Sequence, residues 1–142
     1  MLGMLLDTHA WIWAVDGPGK LGTKTRRRLT KASGTTSNAL SISTASVFEV
    51  AALHTAGRLQ FSLPVERWIR EAIGRAGVRV IDLETDIAVD AGMIPSSALP
   101  DPFDRCLVAT AREYGIPLVT CDRLILDYAR RTRLVTVIDG TT

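Results

Sequence analysis

Five carboxylates in this 142-residue sequence are spaced so that they could serve together as metal ligands. Carboxylate oxygens are the ligands that Mg²⁺ and Mn²⁺ prefer. An ion held in this way can activate water and stabilise charge on a phosphoryl group during its transfer. The residues are Asp7, Glu49, Asp101, Asp104 and Asp122. Whether they can act together depends on the elements that carry them.

Each aspartate also has a simple structural interpretation, because aspartate is a favoured N-cap. Asp7 and Asp122 both precede predicted helices. Asp101 precedes Pro102, a favoured first helical residue. Asp104 is then the third helical residue, which can reach back to the cap as in a capping box. Taken singly, each aspartate is more often a cap than a ligand.

Glu49 and Asp104 are harder to explain as surface residues. On a helical wheel Asp104 is aligned with apolar residues, and Glu49 faces away from the polar His54 and Arg58. An isolated buried carboxylate costs on the order of several kcal/mol unless it is paired, protonated or bound to metal. Two inward acids on different helices therefore suggest a shared cation. The apolar neighbours on the two faces are Ala45, Ala52, Leu53 and Ala56 for Glu49, and Leu107, Val108 and Ala111 for Asp104.

Short apolar runs alternate with helical segments along the chain, which predicts an α/β fold with a parallel sheet covered on both faces. Ligands of open α/β sheets bind beyond the carboxyl ends of the strands, so several of the acids could converge on one edge. The predicted strands are Leu2–Leu6, Leu40–Ile42, Val78–Leu83, Pro117–Thr120 and Leu134–Ile138. The predicted helices are Ala10–Val15, Lys20–Lys31, Thr44–Ala56, one beginning at Pro64, Thr85–Met93, Asp101–Tyr114 and Leu124–Arg131, and Gly34–Asn38 is a predicted loop.

Composition favours one globular domain over residues 1–142, since 46% of residues are hydrophobic and 23% are charged. No apolar run approaches the roughly 20 residues of a membrane helix, and the N-terminus lacks the pattern of a signal peptide. We therefore expect a cytoplasmic protein with no membrane partner. Cys106 and Cys121 then stay reduced, and without CxxC spacing they do not suggest a zinc site.

Basic and hydroxyl residues near the acids are candidates for supporting roles. The net charge is only +2, and the arginine clusters at 26–28 and 130–133 read as solvated helix faces. Arg105 and Arg112 flank the Asp104 face and could contact phosphate, although a surface ion pair is an equal possibility for Arg112. Thr120 could orient an acid or a water, or it could simply end a strand. His9 could contact substrate, although a histidine near a helix start is more often a polar surface residue.

Four sequence blocks, in order, resemble the PIN-domain ribonucleases, and more narrowly the VapC toxins of type II toxin–antitoxin systems. The resemblance covers nearly the whole chain. The blocks are Leu5-Leu-Asp-Thr-His-Ala-Trp-Ile-Trp13, Ile42-Ser-Thr-Ala-Ser-Val-Phe-Glu-Val-Ala51, Asp101-Pro-Phe-Asp-Arg105 and Val119-Thr-Cys-Asp122. One departure concerns a histidine that many members carry shortly before the third block, where this chain has Ala98-Leu99-Pro100.

The resemblance implies a three-layer α/β/α fold with strand order 3-2-1-4-5, and Mg²⁺- or Mn²⁺-dependent hydrolysis of RNA phosphodiester bonds. It implies that the metal-binding and catalytic acids are Asp7, Glu49, Asp104 and Asp122. It assigns accessory roles to Asp101, Thr8, Ser43 and Thr120. Arg105 is a further accessory candidate because it flanks the Asp104 face. The implied partners are an RNA substrate, a VapB-like antitoxin and a second copy of the chain in a homodimer, with a heterotetramer or larger assembly in the antitoxin complex.

Two other functions stay open at this point. A non-catalytic binding module is supported by the capping interpretation of the aspartates, which could then hold a structural cation or an arginine. The other is a nuclease or phosphoesterase that acts on DNA, because the acidic residues alone do not distinguish RNA from DNA as the substrate. A Rossmann or P-loop nucleotide enzyme is disfavoured, since no glycine-rich phosphate loop follows the first strand.

Overall fold

A computed structural model describes residues 3–33, 39–75 and 77–142 of the chain. The predicted loop Gly34–Asn38 and Leu2 of the first predicted strand lie outside these residues. Five strands form one parallel sheet in the order β3-β2-β1-β4-β5. The strands are β1 (Met4–Leu6), β2 (Leu40–Ser43), β3 (Val78–Ile81), β4 (Leu118–Thr120) and β5 (Val137–Asp139). The predicted α/β class and the strand order implied by the resemblance are confirmed.

Seven helices in the described part of the chain accompany the sheet. They are α1 (Thr8–Asp16), α2 (Thr23–Ser33), α3 (Thr44–Thr55), α4 (Val65–Ile73), α5 (Thr85–Met93), α6 (Pro102–Tyr114) and α7 (Arg123–Thr132). None of the helices in the described ranges has the length and apolar character to cross a bilayer.

Side chains that alternate along the strands build a hydrophobic core on each face of the sheet. Leu6 and Val119 belong to one core, with buried residues of α1, α2, α3 and α4. Leu5 and Leu118 belong to the other, with buried residues of α6 and α7. Successive strand residues point to opposite faces of the sheet. A strand that is covered on both faces therefore needs adjacent apolar residues. Burial of each such side chain contributes about 1.5–3 kcal/mol.

The prediction that a helix begins at Lys20 is wrong. Helix α2 begins at Thr23, and residues 17–22 form a loop. The reason is a long-range contact, because Gly22 N donates to Gly140 O at 2.8 Å and Lys24 N donates to Thr142 O at 2.9 Å. These bonds tie the start of α2 to the segment after β5. A basic run alone does not indicate such a contact.

The predicted bounds of the fifth strand and of the fourth helix also differ slightly from the structure. The fifth strand is Val137–Asp139, not Leu134–Ile138, because its register places Leu118 beside Val137 and Thr120 beside Asp139. Leu134 lies outside the strand and is 53% exposed. Pro64 is the N-cap of α4, one residue before the helix. Helix α6 ends at Tyr114 as predicted, with Gly115 in the left-handed conformation.

The carboxyl ends of β1 and β4 are adjacent in the middle of the sheet. Strands β2 and β3 lie on one side of β1, and strands β4 and β5 lie on its other side. This is the topological switch point, where open α/β sheets bind their ligands. Asp7 and Asp122 stand within two residues of these two strand ends.

Candidate active site

A cleft of about 310 Å³ opens at the switch point and is lined by all five of the candidate acids. They come from four separate parts of the chain: the start of α1, the second turn of α3, the start of α6 and the start of α7. The acids are Asp7, Glu49, Asp101, Asp104 and Asp122. The expectation that acids distant in sequence meet at one edge of the sheet is confirmed.

Asp7 is buried at the floor of the cleft, where it caps α1. Its Oδ1 accepts from Ala10 N at 2.7 Å, and its Oδ2 accepts from the Thr120 hydroxyl at 2.5 Å. Burial raises the pKa of Asp7 above its usual value of 3.8, while the hydrogen bonds from Thr120 and Ala10 act in the opposite direction. The capping interpretation is thus correct for Asp7, but it does not exclude a second role.

Thr120, at the end of β4, connects two of the acids. Its hydroxyl donates to Asp7 and accepts from Asp122 N at 3.0 Å. Asp122 caps α7 through Oδ1, which accepts from Leu124 N at 2.8 Å and from Ile125 N at 3.3 Å. The Thr120 hydroxyl is thus bonded to the side chain of Asp7 and to the backbone of Asp122.

Glu49 reaches the cleft from α3 and has a hydrogen-bond partner there. The Thr8 hydroxyl donates to Glu49 Oε1 at 2.6 Å. Thr8 Oγ1 also lies 2.9 Å from the hydroxyl of Ser46, which shares the inward face of α3 with Glu49. Thr8 follows Asp7 directly, so two adjacent residues at the end of β1 connect the sheet to both α1 and α3.

Asp104 lies in the first turn of α6, and no hydrogen bond in the described part of the chain reaches its carboxylate. The capping-box contact is therefore not made, and Asp101 alone caps the helix, accepting from Phe103 N at 2.8 Å. Burial raises the pKa of Asp104 from 3.8 to about 8, and the negative charges of the four other acids add to the effect. Burial and the charges of the other acids therefore favour the neutral form of Asp104 when no cation is bound.

The donor chemistry of the cleft suits a hard divalent cation, because every acid offers carboxylate oxygen. A cation would also offset the repulsion that raises the pKa of Asp104. Within the described ranges, however, no three His, Cys, Asp or Glu side chains are placed to hold one ion together. Both oxygens of Asp7 and Oε1 of Glu49 are engaged in hydrogen bonds instead. Shared coordination therefore requires side-chain movement.

Four of the residues proposed for supporting roles do not line the cleft, namely Ser43, Arg105, Arg112 and Thr120. Ser43 is fully buried and caps α3, accepting from Ala45 N at 3.0 Å. Arg105 Nη2 lies 3.4 Å from Pro100 O, to which it donates, and its buried Nε has no hydrogen-bond partner among the residues that the structure describes. Arg112 lies near the opposite end of α6, beside a depression that includes Gly115 and Arg133. The expected phosphate contacts of Arg105 and Arg112 have no support in this geometry.

Five cleft residues were not among the predicted site residues, namely His9, Trp13, Lys20, Leu107 and Cys121. Lys20 was missed because it was assigned to a helix, although Gly17-Pro18-Gly19 just before it is a signal for a tight loop. Trp13 was interpreted only as part of an apolar helix. His9, considered a surface residue, is exposed and also lines the cleft.

The family model described as "PIN domain" matches residues 4–131. The chain belongs to the PIN domain family. A curated relative, Ribonuclease VapC22 of Mycobacterium tuberculosis, is 34% identical over 137 residues, which are 96% of this chain and 99% of that protein. The PIN domain described above therefore aligns with a named ribonuclease along almost its whole length.

Solved structures with the same fold include toxin–antitoxin complexes. One is VapBC2 from Rickettsia felis bound to a DNA fragment from its promoter, with a TM-score of 0.65, 13% identity, and coverage of 95% of this PIN domain chain and 96% of that chain. Another is DNA-bound VapBC from Salmonella typhimurium, with a TM-score of 0.64, 22% identity, and coverage of 97% and 98%. At these identities the likeness shows the fold.

Proposed function

We propose that this protein is a divalent-metal-dependent endoribonuclease and the toxin of a type II toxin–antitoxin pair. The observation that carries the proposal is the convergence of Asp7, Glu49, Asp104 and Asp122 in one cleft at the switch point of the sheet. Capping after the adjacent strands β1 and β4 explains why Asp7 and Asp122 lie near one another, but it does not explain why Glu49 and Asp104 line the same cleft. Glu49 caps no helix, and Asp104 makes no capping bond among the described residues.

Asp7, Glu49, Asp104 and Asp122 would hold Mg²⁺, with Mn²⁺ as an alternative. Such an ion supplies an activated water and neutralises charge that develops on the phosphoryl oxygens. In hydrolysis the water oxygen bonds to phosphorus, and the bond from phosphorus to the leaving sugar oxygen breaks. The chain's own contribution is to fix the carboxylates, with Thr120 orienting Asp7 and Thr8 orienting Glu49.

RNA as the polymer is supported by the relative with 34% identity, which is named a ribonuclease. A toxin role is supported by the same name and by the VapBC complexes that share the fold. A VapB-like antitoxin is accordingly the proposed protein partner. Homodimer formation stays a prediction that no observation on this chain tests. A small gene directly upstream, encoding a DNA-binding N-terminus and a flexible tail, would support the antitoxin assignment.

The test is cleavage of RNA by the purified, antitoxin-free protein. We expect cleavage with Mg²⁺ or Mn²⁺, none with EDTA, and a loss of about 100-fold or more in Glu49→Gln and Asp104→Asn. Glu113→Gln is the matched control, because Glu113 is exposed on α6 outside the cleft and should retain activity. A DNA substrate in the same reaction tests the choice of polymer. Cleavage that persists in EDTA or in both acid variants contradicts the mechanism.

A further inference from the structure

Lys20 is the only lysine or arginine that lines the acidic cleft in the described part of the chain. Five carboxylates line the same cleft, yet no carboxylate of the described residues lies within 4.0 Å of the Lys20 ammonium group. Its side chain is exposed. A cation beside so many acids that forms no ion pair is free to bind an anion from solution.

The loop that carries Lys20 is held by close backbone contacts on both sides. Gly19 has φ of +82° and lies against the Trp13 indole, so closely that an added Cβ would overlap the ring. Gly22 lies against the backbone of Thr142, where a Cβ would also overlap. Between these contacts, the Cys121 thiol lies 3.8 Å from Lys20 O and donates to it. The backbone of Lys20 is thereby fixed at the cleft mouth.

Arg26 adds a third restraint on this loop. Its Nη1 donates to Trp13 O at 3.2 Å, and its Nη2 donates to Pro18 O. These bonds connect α2 to the end of α1 and to the loop itself. The loop position is thus fixed before any ligand binds, which reduces the entropy cost of using Lys20 to bind one.

An aromatic pair lies next to the loop that carries Lys20, because Gly19 lies against the Trp13 ring. The rings of His9 and Trp13 have centroids 5.6 Å apart and are tilted by 49°. Both line the cleft, and His9 is exposed. Exposed rings are stacking surfaces for unpaired bases, and a neighbouring ammonium can contact the attached phosphate. The loop and the ring pair together offer the two kinds of contact that a single-stranded nucleotide uses.

We propose that Lys20, with the His9–Trp13 ring pair, forms a subsite for the nucleotide next to the bond that is cut. Lys20 binds the phosphate of that nucleotide, and His9 contacts its base. The inference rests on the proposed ribonuclease function and extends it. Its physical basis is that a cleft lined by five acids repels a polyanion, so a cation at the rim is needed to bring the RNA strand past them.

The experiment compares wild type, Lys20→Ala and Lys24→Ala in cleavage of an end-labelled, randomised single-stranded RNA pool with Mg²⁺. Lys24 is the matched control, because it is exposed, lies four residues away and does not line the cleft. For Lys20→Ala we expect KM to rise roughly five- to tenfold with kcat nearly unchanged, since the contact is remote from the reacting atoms. For Lys24→Ala we expect neither value to change.

Salt dependence gives a second readout that loss of folding would not produce. Removal of one phosphate contact should reduce the slope of log(kcat/KM) against log[KCl] by about 0.7. His9→Ala should raise KM and leave that slope unchanged, because it removes a ring rather than a phosphate contact.

If wild type cleaves RNA and Lys20→Ala has the same KM and the same salt slope as wild type, this inference is overturned. The proposed function then stays intact. A lower KM in Lys20→Ala would also overturn it, by showing that Lys20 hinders RNA binding. If no protein in the series cleaves RNA in a metal-dependent manner, both proposals fail.

Discussion

The hydroxyl of Thr120 donates a 2.5 Å hydrogen bond to Oδ2 of Asp7, across 113 positions of sequence. Thr120 is fully buried at the end of β4, and Asp7 follows β1, the adjacent parallel strand. The same hydroxyl accepts from Asp122 N. One buried hydroxyl thus sets the position of two acids at the centre of the sheet.

Replacement of Thr120 by valine should therefore impair the site without greatly changing its shape. Valine is nearly isosteric but removes the donor, which leaves a buried carboxylate oxygen of Asp7 without its hydrogen bond. The pKa of Asp7 should rise further, because the Thr120 bond is the largest influence that lowers it. We expect cleavage to fall by about 10- to 100-fold and to require more Mn²⁺, as measured by turnover over a Mn²⁺ titration.

Two further variants separate this effect from a general loss of stability. Thr120→Ser keeps the hydroxyl and should retain most of the activity. Thr110→Val is the matched control, because Thr110 is equally buried but donates to Cys106 O within α6 rather than to a cleft acid. Equal activity in Thr120→Val and Thr110→Val would show that Thr120 does not position Asp7 for the reaction.

Much of the site could be predicted because it follows from local patterns and one rule of topology. Apolar runs located the strands, and the strand ends located Asp7 and Asp122. The helical periodicity around Glu49 and Asp104 showed that both acids face inward. The rule that parallel strands present their carboxyl ends at one edge then brought these acids together. None of these steps requires knowledge of a loop conformation.

The rest depended on contacts between residues far apart in sequence. Lys20 lies in a loop beside the cleft, held by contacts such as the bond from Gly22 N to Gly140 O at the start of α2. Arg105 was expected near phosphate because it follows Asp104. On a helix, however, adjacent residues point about 100° apart, and its guanidinium lies against Pro100 O instead. The sequence position of a basic residue near an acid does not give the direction of its side chain.

Asp101 and Asp104 should differ in their contributions, although both line the cleft. Asp104→Asn should abolish cleavage and preserve the fold, because Asp104 makes no hydrogen bond among the described residues that the fold would lose. Asp101→Asn should keep the helix cap, since asparagine caps as well as aspartate does, and should lower activity less. Turnover and circular dichroism melting of both variants measure the difference. Equal loss of activity in two folded variants would contradict this division.

The acidic cleft should make the metal-free protein less stable as pH rises. Asp104 has a pKa of about 8 in the folded chain against 3.8 ordinarily, so between these values the folded state binds more protons than the unfolded state. Stability then falls as pH increases through this window. In EDTA we expect the melting temperature to decrease from about pH 6 to about pH 8, and Asp104→Asn to show a smaller decrease.

Saturating Mg²⁺ should reverse that trend, because the ion binds the ionised carboxylates and stabilises the folded state by mass action. The comparison needs only melting curves with Mg²⁺ and with EDTA at each pH. A melting temperature in EDTA that rises over this pH range, or an unchanged slope in Asp104→Asn, would show that the repulsion among the acids is not located at Asp104.

Binding of a divalent cation by the acidic cleft is tested most directly by calorimetric titration of Mn²⁺ into the RNA-free protein. Wild type and Glu113→Gln should bind Mn²⁺ with the same affinity, and Asp104→Asn should bind at least about tenfold more weakly. Absence of Mn²⁺ binding by wild type, or equal binding by wild type and Asp104→Asn, would contradict the assignment of this cleft as a metal-dependent nuclease site.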